Sequence, residues 1–185
     1  MTVWNLPNTL TWLRIFAIPL VIVLFYLPFS WADPAAGLLF ALAGITDSLD
    51  GYFARRLGQI SRLGAFLDPV ADKLIVAVAL VLLVSKDTRA LIVLTAAVII
   101  GREITISALR EWMAEIGARR KVAVSQLGKY KTILQIVGLA LMLYRVPLFG
   151  VPTYNPGVVL TEVAAAATLV SMLAYLRAAW PELTR

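Results

Sequence analysis

The sequence predicts an all-α integral membrane protein, a bundle of six transmembrane helices led by a short N-terminal interfacial segment. Three observations carry that expectation. Hydrophobic residues make up 61% of the 185-residue chain and charged residues 15%, with a mean hydropathy of +0.85, well above that of an ordinary soluble domain. Crossing the hydrocarbon takes about 20 apolar residues, and runs approaching that length occupy 10–29, 35–57, 63–84, 89–110, 129–145 and 157–178. Between them lie stretches of turn chemistry, "LPFSWADP", "RRLGQIS", "VSKDTR", "EIGARRKVAVSQLGK" and "RVPLFGVPTYNPG".

Taken in order, Trp4, Pro7 and Trp12 place the leading segment at headgroup level, where Trp partitions. The N-terminus lacks the basic region that precedes the apolar stretch of a signal peptide, so the first run is expected to be retained. Span 1 opens on Asn8, Thr11 and Arg14, polar at every third position. Span 2 carries Asp47 and Asp50, and span 3 carries Asp68 and Asp72. The inner half of span 4 is polar, with Arg102 and then Glu103, Ser107 and Arg110 along one face, and span 5 opens on Lys129, Lys131 and Thr132. Span 6 runs to Arg177. Short connections make consecutive spans antiparallel neighbours, and no internal repeat divides the chain, so residues 1–185 form one domain.

Orientation follows from the basic residues, which are in excess on cytoplasmic loops. The connections after spans 1, 3 and 5 hold Lys86, Arg89 and Arg145, whereas those after spans 2 and 4 hold Arg55, Arg56, Arg62, Arg119, Arg120 and Lys121. Both termini and the aspartates are therefore expected at the cytoplasmic side of the inner membrane. The net charge of +6 sits between apolar runs rather than on one hydrated face, which argues against nucleic acid as a partner. Without Cys or His, thiol nucleophiles and Zn-thiolate sites are excluded. Any metal must then take oxygen ligands, and proton transfer must use a carboxylate, Lys, Tyr or water.

The four aspartates are the costliest feature of the chain. Unpaired near a span centre they would cost on the order of 10 kcal/mol together. With Asp47 at zero on a helix, Asp50 lies at about −60°, Gly51 at about +40° and Ala54 at about −20°. On span 3, Gly64, Asp68 and Asp72 repeat at every fourth position beside Ala71. A turn with Gly58 as helix stop and Ser61 as N-cap joins the two faces. Interfacial ion pairs, Asp47 with Arg55 and Asp68 with Arg62, are one reading, and a cation pathway is another, although the inverted repeats and broken helices of transporters are not visible. A divalent cation meets the charge more fully, since hard oxygen ligands select Mg²⁺, Mn²⁺ or Ca²⁺, and four carboxylates can bridge two ions.

The spacing D-x2-D-G-x2-A-R-x8-G-x3-D-x3-D, spelled by Asp47, Asp50, Gly51, Ala54, Arg55, Gly64, Asp68 and Asp72, resembles at every specified position the signature of the CDP-alcohol phosphotransferase family of membrane enzymes. The resemblance implies a six-helix fold, usually homodimeric, that transfers the phosphatidyl group of CDP-diacylglycerol to an alcohol and releases CMP. It implies Mg²⁺ or Mn²⁺, one or two ions, held by Asp47, Asp50 and Asp68, with Asp72 as base and further metal contact. Gly51, Ala54, Gly64 and Arg55 would surround the nucleotide together with Asp47 and Asp50. Asn8 and Thr11 would either close its pocket or merely anchor span 1. The stretches "NLPNTLTWLRI", "GAFLDPVADK", "GREITISALREWMAEIG" and "QLGKYKT" are similar to the branch whose acceptor is glycerol 3-phosphate, with phosphatidylglycerol, serine or an inositol phosphate as alternative acceptors. An anionic acceptor needs cations, for which Arg110, Lys129 and Lys131 are the candidates, then Arg102. Membrane lipids are the remaining partner, met by Arg119, Arg120 and Lys121.

Overall fold

The computed structural model describes residues 6–57, 62–118 and 126–184; within these ranges the side chains of 6, 7, 47–57, 62, 65 and 126–129 are outside the description. Six helices form among the described residues: α1 Leu6–Tyr26, α2 Ala32–Leu57, α3 Arg62–Lys86, α4 Ala90–Glu115, α5 Gln126–Tyr144 and α6 Tyr154–Leu183. The predicted Gly58 stop and Ser61 cap lie outside the described residues.

Three helices, α1, α4 and α6, are long and apolar enough to cross a membrane. Among the described side chains, α2 and α5 contribute the shorter apolar stretches Ala32–Thr46 and Tyr130–Tyr144. Helix α1 differs from expectation. It is continuous from Leu6 and includes Trp12, so between residues 6 and 26 the expected leading segment and span 1 form one helix. Pro7 fits the first turn, where its missing N–H costs no helical bond, and Pro28 disfavours helical geometry at Leu27, ending the helix at Tyr26. Helix α4 runs past the expected end at 110. It stops where Gly117, at φ 74°, lets Ala118 N–H reach Met113 C=O at 2.8 Å and Gly117 N–H reach Ala114 C=O at 3.1 Å, the bond pair of a Schellman ending.

Packing inverts the habit of a soluble protein. Phe16, Leu20 and Val23 on α1, Leu38 and Leu42 on α2, and Val170 and Leu173 on α6 are exposed, whereas Asn8, Thr11, Arg14, Thr95, Lys131, Gln135, Thr161 and Thr168 are buried. A lipid-facing bundle requires this arrangement, since polar groups must find partners inside it. One apolar cluster, with Val21, Phe25, Phe40, Ala79, Leu83, Ile99, Leu139 and Leu143, ties α1 to α5. A second, Ile106, Leu109, Met113 and Ala179, holds α4 to α6.

Close backbone approach fixes the register of α5. A Cβ on Gly37 would lie 2.7 Å from Tyr144 Cα, and one on Gly44 would lie 2.7 Å from Ile136 Cγ2, so α2 and α5 run antiparallel with these pairs opposed. Against α6, a Cβ on Gly138 would lie 2.9 Å from both Gly157 O and Thr161 N. Small residues permit this contact where lipid supplies no hydrophobic drive for helix association. At the end of the bundle opposite the aspartates, Asp87 accepts from Arg89 Nη2 at 2.7 Å and Tyr154 Oη at 2.6 Å. These donors, Arg89 first, hold its carboxyl well below the usual range, and they fasten the α3–α4 turn to the start of α6.

Gly138→Ala should lower stability by about 1–3 kcal/mol, because the added methyl meets backbone that cannot move aside. Gly101→Ala, with nothing within 4 Å, serves as the neutral control. Thermal unfolding in detergent distinguishes them, and equal midpoints would show that α5 and α6 do not approach this closely.

Candidate active site

Helix α1 supplies one wall of the site. Asn8, Thr11 and Arg14 are 3%, 1% and 1% exposed, so the three-residue spacing produces a polar stripe turned inward. Thr11 donates its hydroxyl proton to Asp68 Oδ1 in a short hydrogen bond that links α1 to α3. Around Asp68, Gly64 and Ala71 are buried, while Asp68 and Asp72 are half-buried one turn apart on the same helix. Pro69 lies between them inside α3.

Fit to a hard cation is tested by what surrounds Asp68. Its carboxylate takes a neutral hydroxyl, and among the described residues it has no cationic partner. A half-buried carboxylate that meets only a neutral hydroxyl among the described residues suits an oxygen-ligated divalent ion. Among the described residues no three acidic side chains form a cluster. Asp47, Asp50, Gly51, Ala54 and Arg55 lie on the helical backbone of α2, but their side chains are outside the description. The proposed convergence therefore rests, for α2, on backbone register alone.

That register relates the two halves of the site. From the Gly44–Ile136 contact, Asp50 lies about 9 Å along α2 and Lys131 about 7.5 Å along α5 in the same direction. The backbone of Asp50 is therefore roughly level with Lys131. Lys131 itself is only 7% exposed. Its Nζ donates to Ser171 Oγ at 2.9 Å, and Ser171 donates in turn to Thr168 C=O at 2.8 Å. An ammonium has three donors; the other two have no acceptor among the described residues.

Arg102 and Glu103 are the charged neighbours of Lys131. Arg102 pairs with Glu103 through Nη1, and its buried Nε has no hydrogen-bond partner among the described residues. Two cations and one carboxylate thus meet among α4, α5 and α6, with donors to spare. Cations so placed, with donors unmet among the described residues, are chemically suited to an anion. The structure brings Lys131 and Arg102 together. It does not bring in Arg110, which is exposed about 12 Å along α4 from Arg102, and the side chain of Lys129 is outside the description. Ser107 turns its hydroxyl back to Glu103 C=O at 2.6 Å. Sequence reasoning passed over Ser171, Thr168 and Gln135, although a glutamine four residues after Lys131 in an apolar helix was a usable signal.

Thr11→Val keeps the shape and removes the donor to Asp68. It should cost about 1–3 kcal/mol, the range for a hydrogen bond to a charged group, and the loss should shrink when Mn²⁺ is present to meet the carboxylate. Unfolding midpoints measured with and without Mn²⁺ check this, and a variant indistinguishable from wild type in both would contradict the contact.

Comparison with known proteins places this geometry. The profile of the CDP-alcohol phosphatidyltransferase family matches residues 4–177. A CDP-diacylglycerol–glycerol-3-phosphate 3-phosphatidyltransferase of Salmonella choleraesuis strain SC-B67 is 51% identical over 176 residues, covering 95% of each chain. The enzyme of the same name from Pseudomonas fluorescens is 52% identical over 180 residues, 97% of this chain and 92% of the relative. That of Escherichia coli strain K12 is 49% identical over 180 residues, 97% of each. With the profile spanning nearly the whole chain and all six helices, this protein belongs to the CDP-alcohol phosphatidyltransferase family.

Proposed function

We propose that the protein transfers the phosphatidyl group of CDP-diacylglycerol to glycerol 3-phosphate, yielding phosphatidylglycerol phosphate and CMP. The observation that carries this reading is the buried Lys131 ammonium near Arg102, with donors unmet among the described residues, at the level of the Asp50 backbone. A phosphate on the acceptor supplies the oxygens these cations lack, whereas serine would not. Relatives about half identical over the full length carry this activity in their names.

In the reaction, the terminal hydroxyl of glycerol 3-phosphate attacks the phosphorus that bears the diacylglycerol. The new P–O bond forms as the bond to the CMP oxygen breaks, and CMP leaves with the electron pair. Asp72 takes the proton of the attacking hydroxyl, a role that requires hydrogen-bond reach. Asp47, Asp50 and Asp68, with Asp72 at the edge, would hold Mg²⁺ or Mn²⁺, one or two ions, whose charge neutralises the diphosphate. Thr11 fixes the Asp68 carboxylate for this task. Gly51, Ala54 and Gly64 leave room for the nucleotide, and Asn8 and Arg55 border it. Lys131 and Arg102 hold the acceptor phosphate, so that attack is governed by position and electrostatics.

All six helices are read as spans. Their basic connections put both termini and the aspartates at the cytoplasmic face of the inner membrane. The working form is a homodimer, each protomer being one domain over residues 1–185.

Purified protein with CDP-diacylglycerol, Mg²⁺ or Mn²⁺ and a panel of acceptors tests the assignment. CMP release should depend on glycerol 3-phosphate; release with serine, phosphatidylglycerol or an inositol phosphate but not glycerol 3-phosphate contradicts it. Asp68→Asn should reduce turnover by about 10²-fold or more while the protein stays folded. Lys131→Met should raise the KM for glycerol 3-phosphate by about 10- to 100-fold with little change in kcat, as loss of a charged hydrogen bond implies. An unaltered KM would remove Lys131 from the acceptor pocket.

A further inference from the structure

Gln135 lies one turn beyond Lys131 on α5. Its side chain is 7% exposed, and among the described residues its amide has no hydrogen-bond partner. A carboxamide has two donors and an acceptor with two lone pairs, so an amide at the edge of this buried face can serve a ligand hydroxyl. The four-residue step turns Gln135 by about 40° from Lys131, and Gly138 lies about 20° to the other side. Gly138 faces α6 at Gly157 and Thr161, and Lys131 faces α6 at Ser171. Gln135 therefore lies on the same inward face rather than toward lipid. Helical side chains lean toward the helix N-terminus, which carries the amide toward the level of Lys131.

The axial step from Lys131 to Gln135 is about 6 Å. That is the scale of a three-carbon chain with a phosphate at one end and an attacking hydroxyl at the other. With the phosphate on Lys131 and Arg102, an amide one turn deeper meets the carbon next to the reacting one. We infer that Gln135 is a specificity-determining residue that hydrogen-bonds the middle hydroxyl of the acceptor, selecting a vicinal diol phosphate over a simple hydroxyalkyl phosphate. The inference rests on the proposed reaction and adds to it the substrate feature that is read. Gln135 suits this task because it both donates and accepts, so it serves a hydroxyl in either sense, and it brings no charge to compete with Asp72 for the proton.

The test compares glycerol 3-phosphate with 3-hydroxypropyl phosphate, which lacks only the middle hydroxyl, through the ratio of their kcat/KM values. Both are measured on one preparation, so the ratio is independent of the fraction of folded protein. Wild type should prefer glycerol 3-phosphate by about tenfold or more, since a site built to bond a hydroxyl rejects the analogue lacking it. Gln135→Leu and Gln135→Ala should each bring the ratio close to one, chiefly by losing activity toward glycerol 3-phosphate. Gln135→Glu, which keeps an acceptor, should restore part of the preference. Lys131→Met should weaken both acceptors alike and leave the ratio unchanged. Full preference retained in both apolar variants, or no preference in wild type, overturns the role of Gln135 while leaving the reaction in place. Wild type inactive toward both acceptors overturns the reaction itself.

Discussion

Charge buried in a membrane bundle is the constraint from which the rest of this structure follows. An aspartate or lysine among lipid chains is too costly to leave unmet, and among the described residues Asp68 and Lys131 each have a partner on a neighbouring helix. Thr11 meets Asp68 across α1 and α3, Ser171 meets Lys131 across α5 and α6, and Glu103 meets Arg102 on α4. The partners of Asp68 and Lys131 are neutral hydroxyls, whereas that of Arg102 is a carboxylate. On the proposed reading, the acids of α3 and the cations of α4 and α5 are what would let the bundle hold a cation and a phosphate near each other.

Glycine contacts convert that electrostatic requirement into geometry. Gly37 and Gly44 bring α2 against α5, and Gly138 and Gly157 bring α5 against α6. The helix bearing Lys131 is thereby pinned from two sides, and its height relative to the aspartate helix follows from contacts farther along the bundle. The opposite end is closed by different means: Asp87, Arg89 and Tyr154 clamp the turn after α3, and Lys86 donates to Phe25 C=O at 2.9 Å. That end is tied by protein groups that satisfy one another.

The helix order and the aspartate positions were legible in the sequence because both rest on local rules, the length of an apolar run and the four-residue repeat of Gly64, Asp68 and Asp72. Helix ends were less so. Gly117 and Pro28 decide where α4 and α1 stop, and an apolar pattern extends through such signals without marking them. Within the cation pocket, sequence gave Arg110 priority from its place on a polar face. The fold instead buries Arg102 beside Lys131, which depends on how α4 rotates against α5 and α6, a tertiary choice that no single-helix periodicity contains. The Thr11–Asp68 bond spans 57 positions and was invisible for the same reason, although the inward turn of Asn8, Thr11 and Arg14 was foreshadowed by their spacing. Ser171 and Gln135 escaped attention because uncharged polar residues in an apolar helix look ordinary until their neighbours are known.

The central claim is that acids on α2 and α3 gather a hard cation that contacts the diphosphate of a lipid-linked cytidine nucleotide. Pulsed electron paramagnetic resonance of protein-bound Mn²⁺ reads this contact through coupling to ³¹P. With CDP-diacylglycerol in a detergent micelle free of phosphorus, the account predicts ³¹P coupling at direct-ligand strength in wild type and its disappearance in a variant with Asp47 and Asp50 both changed to Asn. Mn²⁺ bound without phosphorus coupling, or coupling undiminished in that variant, would contradict it.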